Sequence, residues 1–219
     1  MTPERFAKLK QILDRRQPDL TVLMDELHKP QNIAALKRTC DAVGASRLHG
    51  VSADLKIRRH HGIAGGTRKW VETVVHKDMP DAIAHLKAQG MTIYAAHWSD
   101  KAIDFREADF TVPSAILLGA ERQGVSPLAA ELADVHITLP MLGMVESLNV
   151  SVAGAVILYG ALQQREEVGL YAISRMPAEE YRRTLFQWSH PDIARRCIDK
   201  RLPYPALTED GDLAENPFQ

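Results

Sequence analysis

The chain has 219 residues, of which 45% are apolar and 25% charged, proportions of a soluble globular protein rather than of a disordered or fibrous one. No run approaches the roughly 18 apolar residues of a membrane span, and the opening Met-Thr-Pro-Glu-Arg lacks an apolar signal core. Cys40 and Cys197 are the only cysteines and are far apart, which argues against a disulfide framework or a zinc site and suits a reducing cytoplasm.

Formal net charge is −1, which by itself argues against a nucleic-acid binder. Its distribution argues the other way. Between Lys37 and Lys69 the net charge is +6, with His49, His60 and His61 in addition; between Ala102 and Asp134 it is −4. A polarised surface of this kind can hold phosphates on one side while the whole stays near neutral. A solvated charged loop is the plainer alternative.

Thr2 is placed to cap a first helix with Pro3 at its first position. Phe6, Leu9 and Leu13 would share one face, with Arg5, Lys8, Arg15 and Arg16 making the rest basic. After the linker Gln17-Pro18-Asp19, strands and helices alternate. The pattern predicts strand 21–27, helix 32–43 closed by Gly44, and strands 47–51 and 70–76. It continues with a helix after Asp78 closed by Gly90, strands 91–96 and 115–118, a helix from Ser126-Pro127, strand 135–139 and helix 149–165. Such alternation implies an α/β fold, a mostly parallel sheet with helices on both faces. Beyond residue 166 comes a basic helical tail with Arg182, Arg183, Arg195, Arg196 and Arg201, and residues 206–219 are acidic and expected to be loose. Three parts follow: a basic helical extension over 1–19, the main domain over 20–165 and the tail over 166–219.

Three segments directly after strands carry the chemistry. The first is Asn32 to Gly44. The second is Leu118-Gly119-Ala120-Glu121-Arg122-Gln123-Gly124-Val125-Ser126. The third runs from Leu139 through Pro140, Met141, Gly143, Glu146, Ser147 and Leu148 to Asn149 and Ser151. Pro140 ends a strand because it cannot donate to the ladder, and Asn149 and Ser151 are cap-type residues ahead of an apolar run. A strand-to-helix loop usually needs only about 2–6 residues. This one is longer and largely apolar, which suggests that it is buried or wraps a ligand, although a merely greasy connector would read the same. The second segment nearly matches a phosphate-binding Walker loop, but Val125 stands where the lysine belongs. Its glycines either let the backbone approach a ligand or serve a tight turn. No G-x-S-x-G is present for a serine hydrolase, and His60-His61 has no metal-ligand spacing. Trp70, Trp98 and Trp188 read as packing residues more readily than as stacking platforms. In an open α/β sheet ligands bind beyond the carboxyl ends of the strands, so the three segments can converge on one edge.

In this order the segments resemble the SPOUT methyltransferases of the SpoU/TrmH branch, which methylate ribose 2′-hydroxyls in RNA. The resemblance spans roughly Met1 to Pro205. The flanks Arg15-Arg16-Gln17-Pro18-Asp19-Leu20-Thr21-Val22 and Arg201-Leu202-Pro203-Tyr204-Pro205 are most similar to the branch acting on guanosine-18 of tRNA. The resemblance implies a deep trefoil knot in the last third of the fold, which general topology rules would exclude, S-adenosylmethionine as cofactor, tRNA as substrate, no metal, and a homodimer with composite active sites.

It also assigns roles. Arg38 is the catalytic arginine of the family. A guanidinium keeps its proton, so the role that chemistry allows is to hold a phosphate and stabilise the developing alkoxide. Asn32 would reach a neighbouring part of the nucleotide if it caps its helix, and Ser147 and Asn149 would hold the ribose or support Arg38. Ala96, Leu118, Gly119, Leu139, Met141 and Leu148 would form the cofactor pocket, while Glu121 either orients the loop or touches the cofactor. Lys37 would add charge to the Arg38 helix. The small residues Gly154 and Gly160 in the last long helix imply a close neighbour, either the knotted loop or a second subunit. Methylation at another tRNA or rRNA site, and a catalytically silent RNA-binding protein of the same fold, are the competing expectations.

Overall fold

The computed structural model describes all residues except 27–28, 52–68, 121–122 and 219, and it divides into two compact units. The larger unit spans Gln17–Leu170. Its strands are β1 (Leu20–Met24), β2 (Arg47–Val51), β3 (Glu72–His76), β4 (Thr92–Ala96), β5 (Ile103–Asp104), β6 (Ser114–Leu118) and β7 (Val135–Thr138). They form one sheet in the order β3-β2-β1-β6-β4-β7-β5, and every pairing is parallel. The helices are α2 (Pro30–Ala42), α3 (Met79–Ala88), α4 (Pro127–Leu132) and α5 (Val150–Glu167).

Side-chain alternation explains the layers. In β1, Leu20, Val22 and Met24 share a core with Leu36 and Cys40 of α2 and Ile157, Leu158 and Ala161 of α5. Leu23 points the other way, into a second core with Ile83 and Leu86 of α3 and Ala129 of α4. β6 splits likewise, Ile116 and Leu118 to the first core and Ala115 and Leu117 to the second. Both strands are buried throughout, as a parallel sheet covered on both faces requires.

The chain's punctuation acts as the sequence implied. Gly44 and Gly90 follow α2 and α3 at φ +83° and +76°, a region open to residues without a Cβ. Asp78, Ser126 and Asn149 each cap a helix through their side chains. Strand ends differ by a residue or more: β1 stops at Met24 rather than at 27, β3 begins at Glu72 rather than at 70, and β7 ends at Thr138 rather than at 139. The two-residue β5 was not foreseen, being too short to show alternation. Arg165, fully buried near the end of α5, donates to the carbonyls of Phe110, Asp19 and Val112, to Gln17 Oε1 and to the Asp19 carboxylate at 2.8 Å. These bonds give a buried cation the partners without which its burial would be costly.

The smaller unit combines Met1–Arg16 with Tyr171–Gln219. It holds α1 (Pro3–Asp14), α6 (Ala178–Ser189) and α7 (Pro191–Asp199). Thr2 accepts from the Arg5 amide as the cap of α1, and Phe6, Leu9 and Leu13 are its buried face. Tyr181 of α6 donates to Asp14 at 2.9 Å. Two expectations are corrected here. Arg16 is buried, with its guanidinium over the Trp188 ring, so it adds nothing to a basic surface. The last residues are not loose: Leu207 and Leu213 form an antiparallel bridge, the Gly211 carbonyl meets His190 Nε2 at 2.7 Å, and a Cβ on Gly211 would lie 2.4 Å from the Phe6 ring.

Candidate active site

Strands β6, β4 and β7 are neighbours, and the segments leaving their carboxyl ends enclose a pocket of about 740 Å³. That is within the range of about 300–1,000 Å³ usual for small-molecule sites. Ala96 ends β4, Leu118 ends β6 and Gly119 follows it, and the loop after β7 supplies Leu139, Met141, Ser147, Leu148 and Asn149; all of these line the pocket. Eight of the residues singled out from sequence therefore converge, although they lie on three separate segments. Glu121 lies outside the described residues, as do Lys56, Arg58, Arg59, His60, His61 and Arg68.

The turn after β6 shows what its glycines are for. Ala120 and Gly124 exchange backbone hydrogen bonds of 2.9 and 2.8 Å, and Gly124 adopts φ +67°. A Cβ on Gly119 would stand 2.0 Å from the Gly124 carbonyl carbon. The tight turn alone thus demands Gly119. Asp25, just past β1, accepts from the Ser126 amide at 2.7 Å while its own amide donates to the Leu118 carbonyl, which ties the pocket floor to the start of α4.

The long loop after β7 is not buried by its own chain. Leu142 and Met144 are 100% and 99% exposed, and Val145 and Leu148 are also open. Burial, one reading of this apolar loop, does not hold for these residues, which leaves a loop that wraps a ligand or a plain apolar connector. Trp98, expected to pack, is 80% exposed at the pocket wall. His97 beside it also lines the pocket; burial, then His136 and Lys101, hold its pKa below the ordinary histidine value. Sequence reading missed both as site residues, since a lone aromatic just after a strand carries no periodic signal.

Asn32 does not cap α2. Lys29 occupies that place, with Pro30 at the first turn. Instead Asn32 lies buried inside the first turn, and its Oδ1 accepts from Asn149 Nδ2 at 3.4 Å and from Ser151 Oγ at 3.5 Å. Asn149 Oδ1 in turn accepts from the Ser151 amide and hydroxyl at 2.9 and 2.7 Å. A polar cluster thus joins the starts of α2 and α5 at the pocket edge, with Ser151 as an added member. Arg38 is exposed on α2 and is not among the residues lining the pocket, whereas Lys37 is buried rather than on the exposed face. The close neighbours of the α5 glycines belong to the same chain: a Cβ on Gly154 would meet Leu36 and Leu118, and one on Gly160 would meet Phe105.

Comparison with known proteins agrees with this arrangement. The SpoU rRNA Methylase family model matches residues 19–159, and the model described as SpoU, rRNA methylase, C-terminal, matches 163–216. The chain is 46% identical over 215 residues to the tRNA (guanosine(18)-2'-O)-methyltransferase of Escherichia coli, covering 97% of this chain and 94% of that protein. The protein of that name from Thermus thermophilus is 48% identical over 187 residues, covering 85% and 96%. The crystal structure of an A. aeolicus TrmH/SpoU tRNA modifying enzyme superposes with a TM-score of 0.80 at 39% identity, over 87% of this chain and 97% of that one. With the sheet, the pocket and both terminal segments inside these matches, the chain belongs to the SpoU methylase family.

Proposed function

We propose that the protein transfers a methyl group from S-adenosylmethionine to the ribose 2′-hydroxyl of guanosine-18 in tRNA. The observation that carries this reading is the match to proteins named for that reaction, over 97% of this chain in one case and 85% in the other. The pocket suits the cofactor chemically: apolar walls at Leu118, Leu139, Met141 and Leu148 can hold the adenosyl and methionine portions, with Ser147 and Asn149 as polar partners. The bound cofactor supplies a methyl already activated on a sulfonium, so the protein's task is alignment and exclusion of water. Arg38 holds the phosphate beside the target and stabilises charge developing on the 2′-oxygen, whose proton passes to phosphate or water. Asn32 and Asn149 fix the pocket edge, and Glu121 orients the turn or touches the cofactor.

The active form is a homodimer with shared sites. Arg38 lies away from its own chain's pocket walls, and a second copy can bring its arginine there. On α5, Val152, Val156 and Tyr159 are exposed at helical spacing beside the bare apolar loop, an apolar stripe suited to a partner helix. Family membership supports the trefoil knot in the region of the loop and α5. The exposed arginines of α6 and α7 suit tRNA phosphates. Both cysteines are free, in keeping with a cytoplasmic setting.

The test is methyl transfer to unmodified tRNA transcripts, mapped by mass spectrometry. We expect one ribose methyl, at guanosine-18, lost when that nucleotide is 2′-deoxy. Methyl at another nucleotide would refute the position, and tRNA binding without any transfer would favour the silent RNA-binding alternative.

A further inference from the structure

Three histidines meet away from the pocket, in the β2–β3 half of the sheet. His49 lies on β2 and His76 ends β3; the register pairs His76 with Val51, two residues after His49, so both rings leave the same sheet face. That face is covered by α3, where Asp81 and His85 stand four residues apart and hence above one another. The ring nitrogens of His49, His76 and His85 lie within 4.8 Å of one another. Among the described residues no other group of histidines, cysteines and carboxylates gathers in this way.

We propose that His49, His76 and His85 form a binding site for a divalent metal ion of the zinc class, with solvent completing the coordination on the exposed side of His85. Three imidazoles plus one open position is a recurrent zinc ligand set, and neutral imidazole also suits cobalt, nickel and copper. One contact already resembles a ligated state. His76 Nδ1 faces the Asp81 carboxylate at 3.4 Å, which favours the proton on that nitrogen and turns Nε2 toward His49 as the lone pair. A carboxylate behind a ligating histidine is the usual way to fix its tautomer and orientation. His76 Nε2 is 2.9 Å from His49 Nδ1. Two ligands held at about 2.0–2.1 Å in tetrahedral geometry are about 3.3 Å apart, so for this pair an ion needs a shift of a few tenths of an ångström, the proton they share passing to His49 Nε2, while His85, within 4.8 Å, closes in from the exposed side. His85 Nε2 accepts from the Gln89 amide, one turn further along α3, at 2.7 Å; an ion taking Nε2 displaces that amide, and one taking Nδ1 needs the amide turned to present its oxygen.

Charge agrees with the geometry. Burial, then His76, His85 and Arg47, push the His49 pKa down to about 3, and burial, partly offset by Asp81, lowers that of His76. Their lone pairs are therefore available at neutral pH. An ion here would fasten the β2–β3 edge of the sheet to α3, a structural role independent of methyl transfer.

The experiment uses untagged, chelator-stripped full-length protein titrated with ZnCl2 against a chromophoric chelator, and with CoCl2 followed by visible absorption. We expect one equivalent per chain, the visible bands of tetrahedral cobalt, and a melting temperature raised by zinc, as ligand binding to the folded state requires. His85→Ala removes an exposed ligand and should leave the fold intact by circular dichroism. It should weaken zinc by about a hundredfold or more and abolish the thermal shift. Asp81→Asn, which cannot hold the His76 tautomer, should weaken zinc by about 10–100-fold. Wild type and His85→Ala binding zinc with equal stoichiometry and affinity would overturn the proposal. So would wild type binding none at micromolar concentration.

Discussion

An added methyl at Gly119 has only backbone to displace, since its nearest atoms are the carbonyl and amide groups of Gly124 and Val125. At Gly154 it meets the ends of two leucine side chains, at 2.6 and 2.8 Å, while the helix gains about 1 kcal/mol in propensity on replacing glycine by alanine. Gly119→Ala should therefore cost about 3 kcal/mol and Gly154→Ala about 1 kcal/mol, as read by urea denaturation; equal costs would contradict this account. Arg38 makes the opposite prediction, a catalytic loss without a structural one. Being exposed and off the pocket walls, Arg38→Ala should lower turnover by about 100-fold or more while cofactor affinity by calorimetry stays near wild type. Arg38→Lys should recover little, because a point charge cannot reproduce a bidentate fork on phosphate. Turnover within about threefold of wild type would remove Arg38 from the mechanism.

Among the elements, α5 presents two different faces. Gly154, Ile157, Leu158 and Ala161 face the chain's own core, and Val152, Val156 and Tyr159 face outward. The glycines, which the sequence alone left open to a second subunit, are explained by Leu36, Leu118 and Phe105. Support for a partner comes from the outward stripe instead. Val156→Glu should shift the protein from dimer to monomer in light scattering and lose methyl transfer, with the far-ultraviolet spectrum unchanged. A dimer that persists with full activity would place the interface elsewhere. Mixing Arg38→Ala chains with Asn149→Ala chains should restore partial activity if each site draws on two copies.

For the molecule as a whole, the smaller unit decides how RNA binding can be tested. Cutting the chain near Arg175 would remove α6 and α7 from a unit that also contains α1, exposing Phe6, Leu9 and Leu13 and confusing folding with binding. Charge substitution avoids that. Arg182, Arg183, Arg195 and Arg201 are all exposed, and replacing them by alanine should weaken tRNA affinity. The slope of log affinity against log salt should flatten by about 0.7–0.9 for each phosphate no longer neutralised, with cofactor affinity unchanged. An unaltered salt slope would move recognition to the basic stretch between Lys37 and Lys69.

The sequence by itself determined the order of most elements, the helix caps at Thr2, Asp78, Ser126 and Asn149, the glycine stops, and two of the segments that face the pocket, those after β6 and β7; the segment from Asn32 to Gly44 lines none of it. These follow from local chemistry: period-two and period-3.6 burial, capping oxygens and positive φ are written within a few residues of where they act. Only the tertiary structure decided what depends on distant partners. Asn32 became a buried acceptor for Asn149 and Ser151, more than a hundred residues away, rather than a helix cap. Arg16 went under Trp188, the acidic terminus folded against Phe6, and Trp98 stood exposed at the pocket. The histidine cluster belongs to the same class. His49, His76 and His85 share no sequence spacing that marks a ligand set, and parallel strand register with one helix face brings them together.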